Sequence, residues 1–503
     1  QLRGRFNVAA LLSCQSPMTS LDVAVLDYAT ATEVRRRIVS KDISPVELTK
    51  RALAKAEATQ TTLNAFFVLL PEHALTAAKA AEDAVMQGRP LGPLHGIPFS
   101  AKDLMAVAGV PYASGSRAMA KNVAAVNAPA VERAQAAGAI LIGKTTTSEF
   151  GCKPVGDSPL TGITRNPWNL GKTPGGSSAG AAASVAAGIT PFALGTDGGG
   201  SIRIPCCFSG LAGIKAHFGR VPVWPVSATP TLAHVGPIAR NVADAALVLT
   251  AIGGYDPRDP FSVSQTMPDL LEACRAGVSG LRIAFSLTLG YARPDPDVAK
   301  IVTAAARTFE ELGCSVEQVE QVFDKDPADL WTAEFYAGVG TRLRQVVQTQ
   351  RELLDPAVAE VLDAALSQDM RSYYEKVFER YAFRDKTRAF FEKYDVLLSP
   401  VLPVSSLDAG VNIPPNLKDR NLVSWVYYTY PFNLTGQPAA TVCGGISSGG
   451  IPVGIQLVGR SLREYDVIRA AAAYEDTKPA GYNVRRFEAA NELRKPVGRD
   501  NRE

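Results

Sequence analysis

Residues 195–205 read GTDGGGSIRIP, and three consecutive glycines stand immediately before Ser201. Glycine readily enters the positive-φ conformations in which several backbone N–H groups point toward one place. Such a nest suits a developing oxyanion, and the adjacent hydroxyl is placed to act as the nucleophile that generates it. Taken alone, the stretch is more typical of a glycine turn between two strands. The surrounding sequence decides between the two interpretations.

The segments before this loop predict a helix followed by a strand. Residues 178–187 (SAGAAASVAA) are rich in alanine, the best helix former, and Gly188 follows as a C-terminal cap. Residues 190–196 (TPFALGT) form a short apolar run of strand type. A ten-residue helix advances about 15 Å, and a strand of six or seven residues returns about 20 Å. Ser177 and Ser201 are therefore expected at the same end of the fold.

A serine nucleophile needs a proton acceptor, and the chain offers lysine and histidine candidates. Lys102 ends a strand-like run, IPFSAK. Burial can lower the pKa of a lysine by up to about 3–5 units, which would make its amine a working base. His217 and His234 follow the glycine loop and stay open as alternative bases.

Four blocks of sequence together resemble the amidase signature family. They are GIPFSAKD (96–103), TPGGSSAG (173–180), GTDGGGSIRIP (195–205), and the C-terminal PFNLTGQPA (431–439) with GGIPVGIQLVGR (449–460). The combination is far more specific than any one block, and the similarity of pattern extends over nearly the whole chain. The resemblance implies a single-domain α/β fold in which α-helices wrap a central mixed β-sheet.

The resemblance also implies a Ser-cisSer-Lys triad. Position by position, Ser201 matches the nucleophile, Ser177 matches the bridging serine after a cis peptide bond, and Lys102 matches the base. The implied oxyanion hole consists of the backbone N–H groups of Gly198, Gly199, Gly200 and Ser201. Supporting polar positions that hold the loops are Ser178, Thr196, Asp197 and Arg203. The implied acyl transfer requires no metal and no organic cofactor.

The implied activity is hydrolysis of carbon–nitrogen bonds in small apolar or aryl amides, as in aryl acylamidases. Esters or carbamates, as in a urethanase, would react through the same acyl-enzyme. Aromatic residues at 425–432, with Tyr373, Tyr374 and Phe378, are more typical of core packing than of a pocket, and they favour such a substrate if some of them face the site. The alternative function is that of one component of a glutamine-dependent tRNA amidotransferase, active only with its partners. A non-catalytic binding protein is disfavoured because all three triad residues are present.

One further motif points elsewhere. Residues 138–145 (GAILIGKT) match the phosphate-loop string GxxxxGK[ST], but the four intervening residues are apolar and predict a buried strand after a helix that ends at Gly138. The same pattern recurs at 297–318, where a helix ends at Gly313 and CSVEQ resumes as a strand. Repeated alternation of helix and strand favours an α/β fold over nucleotide binding.

Composition excludes several classes of protein. The 503 residues include 52 basic and 49 acidic ones, and this near balance offers no argument for nucleic acid or an anionic membrane. Seven cysteines without paired metal-ligand spacing indicate a reduced, cytoplasmic setting. The sequence contains no run of eighteen apolar residues, so it predicts no transmembrane helix. The expected partners are a small amide substrate and, for assembly, a second copy in a homodimer.

The predicted organisation is one domain with short extensions. Residues 1–17 are interpreted as an upstream extension, 18–480 as a single amidase domain, and 481–503 as a polar tail. Within the domain, the predicted parts are a helical lead-in (30–95), a core with every proposed catalytic residue (96–250), and a variable helical region on the substrate side (325–393).

Overall fold

The computed structural model describes residues 26–478. The predicted upstream extension, the predicted polar tail and Cys14 lie outside the described residues. In chain order the strands are β1 (Phe66–Leu69), β2 (Pro98–Lys102), β3 (Ile140–Thr145), β4 (Asp157–Ser158), β5 (Gly162–Ile163), β6 (Phe192–Asp197), β7 (Ala212–Lys215), β8 (His234–Ala239), β9 (Arg282–Phe285), β10 (Ser315–Gln318), β11 (Val396–Pro400), β12 (Ala439–Ile446) and β13 (Pro452–Gly459).

Helices occupy much of the remaining described chain. They are α1 (Ala31–Val39), α2 (Pro45–Leu63), α3 (Pro71–Met86), α4 (Pro129–Ala136), α5 (Ala179–Ala186), α6 (Arg203–Ser209), α7 (Val242–Ile252), α8 (Leu270–Ala273), α9 (Pro296–Glu311), α10 (Ala328–Arg342), α11 (Arg344–Thr349), α12 (Pro356–Leu366), α13 (Met370–Lys393), α14 (Pro431–Thr435) and α15 (Glu464–Asp476). Short 3-10 turns lie at Arg117–Met119, Glu149–Gly151, Arg351–Leu353 and Pro415–Leu417. Within residues 26–478, none of these helices combines the length and apolar character needed to cross a membrane.

Eleven strands form one mixed sheet, in the order β1-β3-β2-β6-β8-β7-β12-β13-β11-β9-β10. Strands β3, β2 and β6 run parallel, and helical crossovers through α4 and α5 connect them, as parallel neighbours require. Because β2 and β6 are parallel, their carboxyl ends meet at one edge of the sheet. Lys102 ends β2 and Asp197 ends β6 at that edge. The α/β sheet predicted from the sequence is confirmed.

The local predictions around the glycine loop are confirmed. The predicted helix is α5, with Gly188 after it at φ +69°, and the predicted strand is β6. The string at 138–145 is a helix end and a strand, since α4 stops at Ala136, Gly138 has φ +95° and β3 follows. The alternation predicted for residues 297–318 is likewise present as α9 and β10.

The lead-in is not wholly helical, and the prediction was wrong at residues 66–69. Asn64 ends α2 in the left-handed conformation, and the apolar run FFVL then pairs antiparallel with β3 as the edge strand β1. The run is only four residues long, between two strongly helical segments. Its strand character comes from pairing with a distant partner, which local periodicity does not report.

The region 325–393 is helical, as predicted, and forms four helices, α10 to α13. Buried side chains of α10 and α12 belong to one apolar cluster with the aromatic residues of 425–432. This second core lies beside the main core of the sheet and brings α10 against the glycine loop.

Candidate functional site

Three segments at one edge of the sheet bring the predicted triad together. Lys102 lies at the end of β2, Ser177 just before α5, and Ser201 between β6 and α6. Lys102 Nζ donates to Ser177 Oγ at 2.7 Å, and Ser177 Oγ donates to Ser201 Oγ at 3.0 Å. A continuous hydrogen-bonded relay therefore joins the lysine to the second serine, although the two lie far apart in the sequence.

Lys102 is buried among hydroxyl groups. Its side chain is fully buried, and its second hydrogen bond goes to Thr196 Oγ1 at 2.8 Å. Within the described residues it forms no ion pair. Burial lowers the pKa of Lys102 well below its ordinary value, and the nearby charge of Asp197 opposes that shift only in part. Burial thus favours the neutral form of this amine more than it would for an exposed lysine.

The loop around Ser177 is built for close approach. The Gly176–Ser177 peptide bond is cis, as the family resemblance implied. A Cβ on Gly176 would lie 2.2 Å from the carbonyl oxygen of Val155, so glycine is required there. Ser178 ties this loop to its neighbour, because its N–H donates to the Ser201 carbonyl at 3.3 Å and its hydroxyl to the Thr196 carbonyl at 3.2 Å.

A buried ion pair organises the glycine loop from behind. Asp197 accepts hydrogen bonds from the Gly200 N–H at 2.8 Å and the Ile202 N–H at 3.2 Å, and Arg203 Nη2 lies 2.9 Å from its carboxylate. Burial by itself raises the pKa of Asp197, but the Arg203 guanidinium outweighs burial and holds that pKa below its usual value. Arg203 Nη1 also donates to Gln456 Oε1 at 2.8 Å, which anchors the loop to β13.

The backbone of the loop presents fewer free donors than the resemblance implied. The Gly200 N–H is occupied by Asp197. In the described part of the chain, the N–H groups of Gly198, Gly199 and Ser201 have no protein acceptor. The number of candidate N–H donors for the predicted oxyanion hole is therefore reduced from four to these three.

A cavity of about 260 Å³ opens beside the relay, with both Ser177 and Ser201 in its lining. Most of its wall is apolar, and the larger side chains there are Leu104, Met105, Tyr112, Phe150, Trp224, Phe335, Val339 and Leu343. The charged residues in the lining are Asp197, which is paired with Arg203, and the exposed Arg342, which donates to the Val226 carbonyl at 2.7 Å. The cavity suits an uncharged, apolar group.

The aromatic residues singled out in the sequence do not form this wall. Residues 425–432 are buried in the second core, and Tyr374 and Phe378 are 52% and 68% exposed. Core packing was thus the correct interpretation of residues 425–432. Sequence reasoning missed the actual aromatic wall, which is Tyr112, Phe150, Trp224 and Phe335. These four come from separate segments, so no local pattern singles them out.

The alternative histidine bases are engaged or remote. His234 Nδ1 lies 2.8 Å from the Leu232 carbonyl, which makes Nδ1 the donor, and its Nε2 faces Lys215 Nζ at 3.4 Å. Burial, aided by the charge of Lys215, lowers the pKa of His217 to about 3. Neither ring hydrogen-bonds Ser201 among residues 26–478. The geometry therefore favours Lys102 over either histidine.

Nucleotide binding through Lys144 finds no support in this arrangement. Lys144 is fully buried in β3, and its Nζ lies 2.6 Å from Asp103 Oδ1.

Cys206 and Cys207 are buried in α6, where they pack as small apolar side chains. Across residues 26–478, no cluster of three or more histidine, cysteine or acidic side chains has the arrangement of a metal site.

Comparisons with known proteins find similarity to amidases over most of the chain. The family model described as Amidase matches residues 47–468. An acylamidase of Rhodococcus erythropolis is 35% identical over 464 residues, which cover 90% of this chain and 96% of that protein. A component of the glutamyl-tRNA(Gln) amidotransferase of Chloroflexus aurantiacus is also 35% identical, over 474 residues and with the same coverage. The crystal structure of a bacterial aryl acylamidase of the amidase signature family superposes with a TM-score of 0.86 at 31% identity, covering 92% of this chain and 98% of that one.

Proposed function

The chain belongs to the amidase signature family, and from this premise we propose that it is a self-sufficient amidase acting on small apolar or aryl amides. Amide hydrolysis is the activity common to this family assignment and to the acylamidase relatives. The finer proposal concerns the substrate and the residues that act on it. The observation that carries it is the relay from buried Lys102 through Ser177 to Ser201, beside an apolar cavity.

The proposed reaction begins with attack by Ser201 Oγ on the amide carbonyl. Its proton passes to Ser177 Oγ, whose own proton passes to the neutral amine of Lys102. The carbonyl oxygen becomes an oxyanion, which the free N–H groups of the glycine loop stabilise. When the tetrahedral intermediate collapses, the carbon–nitrogen bond breaks and the relay returns the proton to the leaving amine.

Water then completes the cycle. The Lys102–Ser177 relay accepts a proton from a water molecule that attacks the Ser201 ester, and it returns that proton to Ser201 as the acid departs. Burial of Lys102 supports both halves of this cycle, because a lysine with a lowered pKa releases its proton more readily and can both accept and return it.

The lining of the cavity supports the substrate class. Leu104, Phe150 and Phe335 offer apolar contact area, whereas the carboxylate of Asp197 is already paired. An aryl or small alkyl group would gain about 25 cal/mol per Å² of apolar surface that it buries there. Similarity to an acylamidase and to an aryl acylamidase agrees with this choice. Esters and carbamates of similar shape are proposed as further substrates, since they acylate a serine by the same steps.

A second candidate function has specific support. Relatives that are components of glutamyl-tRNA(Gln) amidotransferases are 32–35% identical to this chain and align over nearly their whole length. A protein of that kind would work with partner proteins and use glutamine as its amide. Among the described lining residues the one carboxylate, that of Asp197, is already paired with Arg203, which argues against a zwitterionic amino acid because its ammonium group needs a charged partner.

The test is turnover by the purified chain alone. We expect amine release from p-nitroacetanilide, an aliphatic amide or an aryl carbamate, and loss of at least about a thousandfold in kcat for Ser201→Ala, with the melting temperature unchanged. Ser209→Ala is a matched control, because Ser209 is a buried serine at the end of α6 outside the cavity lining. Full activity of Ser201→Ala would refute the proposed nucleophile. If glutamine is the one amide that reacts, and it reacts only after partner proteins are added, the amidotransferase is favoured.

A further inference from the structure

We propose that Trp331, on α10, is a positioning residue that orients the oxyanion-stabilising backbone, so that the variable helical region takes part in catalysis. The inference rests on the proposed function, in which the free N–H groups of the glycine loop stabilise the oxyanion. Trp331 lies far from Ser201 in the sequence, in a segment to which neither the sequence motifs nor the family resemblance gave a catalytic task.

The planar peptide bond couples the Gly198 carbonyl to the N–H of Gly199. In a trans peptide the carbonyl of one residue and the N–H of the next point in opposite directions. Trp331 Nε1 donates to the carbonyl oxygen of Gly198 at 2.7 Å. That hydrogen bond sets the orientation of the Gly198–Gly199 peptide plane. The Gly199 N–H, one of the three donors without a protein acceptor among the described residues, is thereby turned to the side away from the indole.

The neighbouring peptides of the loop are held in the same way. The carbonyl of Asp197 accepts from Asn433 Nδ2 at 2.9 Å, and that of Gly199 accepts from Thr429 Oγ1 at 2.6 Å. The carbonyl of Gly200 accepts from the Ile204 N–H at 2.7 Å. Each carbonyl in this row therefore has a donor behind it. Within the described chain, the Gly198 carbonyl alone takes its donor from the region 325–393.

Packing leaves this donor little freedom. Trp331 is 3% exposed and stacks on Phe335 with ring centroids 4.3 Å apart. A Cβ on Gly199 would lie 2.8 Å from Trp331 Cζ2, and one on Gly198 would lie 2.7 Å from Phe335 Cε2. The two glycines therefore serve a close fit against α10 as well as backbone freedom. A larger residue at either position would push the helix and its indole away from the loop.

The same helix lines the substrate cavity through Phe335 and Val339. A substrate that packs against α10 thus contacts the element that orients the Gly199 N–H. This arrangement predicts that the Trp331 hydrogen bond affects the transition state more than the bound substrate. Its loss should lower kcat and leave KM nearly unchanged.

The test replaces the indole N–H while keeping an aromatic ring. For Trp331→Phe we expect kcat for the best anilide to fall about tenfold and KM to change less than about twofold. Affinity for an aryl trifluoromethyl ketone, which forms a tetrahedral oxyanion adduct on a serine, should fall by a similar factor. Affinity for the amine product, which carries no oxyanion, should not change. A merely structural role would weaken both ligands together or neither.

Trp425→Phe is the matched control. Trp425 is fully buried, and its indole donates to the Asn412 carbonyl at 3.0 Å, outside the cavity lining. This variant should keep wild-type kcat and ketone affinity. If Trp331→Phe does not fold, incorporation of 3-benzothienylalanine at position 331 keeps the shape of the side chain and removes only the N–H donor. The same loss of kcat and ketone affinity is expected there.

The possible results separate the two proposals. If Ser201→Ala keeps full activity, the proposed function fails and the Trp331 inference fails with it. If Ser201→Ala is inactive but Trp331→Phe or its isostere matches the Trp425→Phe control, only the role of Trp331 is refuted. An equal loss of ketone and product affinity would also refute it.

Discussion

Two lysines on adjacent parallel strands make an instructive comparison. Lys102 ends β2, and Lys144 lies in β3, where it pairs in register with Ala101. Both side chains are fully buried. Lys144 Nζ contacts the carboxylate of Asp103 at 2.6 Å, whereas Lys102 Nζ contacts the hydroxyls of Ser177 and Thr196. The two lysines are buried to nearly the same extent, but the groups that contact them differ.

The difference shows that the partner, and not burial alone, decides what a buried lysine does. Burial lowers the pKa of Lys144, but the charge and hydrogen bond of Asp103 oppose the shift. Lys102 has no carboxylate in contact among the described residues, and its pKa falls well below the ordinary value. An ion pair holds its proton and supports the fold. An amine among hydroxyls can release its proton and act as a base.

The largest expected effect comes from removing the amine of Lys102. Lys102→Met keeps the length of the side chain but cannot accept a proton, so kcat should fall by about 10² to 10⁴. The free energy of unfolding should be unchanged or slightly higher, because an amine whose charged form is penalised by burial is replaced by an apolar group. Steady-state kinetics and thermal unfolding check the two expectations. Wild-type activity in this variant would refute the role of Lys102 as the base.

Stability and activity should both depend on pH through Lys102. The folded-state pKa of Lys102 is lowered, so between that value and about 10.4 the unfolded chain binds more protons than the folded one. Stability contributed through this group therefore rises with pH across that window. Activity should fall as pH drops through the folded-state pKa and protonates the amine. In Lys102→Met this rise of stability with pH should be absent. The acidic limb of its residual kcat/KM profile should no longer reflect titration of this group.

Removal of the amine of Lys144 should have the opposite character. Lys144→Met leaves the Asp103 carboxylate buried without its partner, and the free energy of unfolding should fall by about 3–5 kcal/mol. The folded fraction should keep kcat within a few-fold, because Lys144 lies outside the relay. Denaturant unfolding and kinetics on the folded protein make the measurement. A large loss of kcat with unchanged stability would reverse the assignment of the two lysines.

A double variant serves as the control for Lys144. Asp103→Leu combined with Lys144→Met removes both charges, and it should recover much of the stability lost in Lys144→Met alone. If the double variant is as unstable as the single one, the loss arises from packing and not from an unpaired charge.

The smallest expected effect concerns a buried carboxyl that forms no ion pair within the described chain. Burial raises the pKa of Glu149 to about 7 from 4.5, and Glu149 Oε2 accepts the Asp355 N–H at 2.7 Å. Its neighbour Lys153 contacts the carboxylates of Asp157 and Asp355 instead. Between about 4.5 and 7 the folded state binds more protons, so the stability of the native protein falls as pH rises through that window.

Glu149→Gln should remove this dependence. We expect little change in melting temperature at pH 5 and an increase of about 2 °C or more at pH 8. Glu57→Gln, at an exposed position of α2, should show no such difference between the two pH values. A melting temperature that falls equally at both pH values would mean that Glu149 acts through its hydrogen bonds and not through its charge.

Local features of the sequence were sufficient for the elements around the relay. Alanine content and Gly188 predicted α5, and the apolar run TPFALGT predicted β6. The lengths of these two elements placed Ser177 and Ser201 together, which their 3.0 Å contact bears out. Such predictions succeed because propensity and repeat distance are properties of short segments.

Predictions that depended on distant partners were weaker. The strand β1 was missed because its pairing with β3 lies outside the local pattern. The aromatic wall of the cavity was missed for the same reason, while Trp425 and its neighbours turned out to be core. Gly200 was expected to donate to an oxyanion, but its N–H donates to Asp197. A side chain's neighbours depend on how separate elements pack.

The α/β architecture, the family and the set of residues at the carboxyl ends of β2 and β6 could be read from the chain alone, because they follow from periodicity, turn residues and motif spacing. The surroundings of those residues depend on the folded molecule. It placed Lys102 among hydroxyls while giving a carboxylate to Lys144, and it brought Trp331 to the Gly198 carbonyl from α10. Proton affinity and the orientation of a peptide plane depend on contacts within a few ångströms, and those contacts come from residues far apart in the chain.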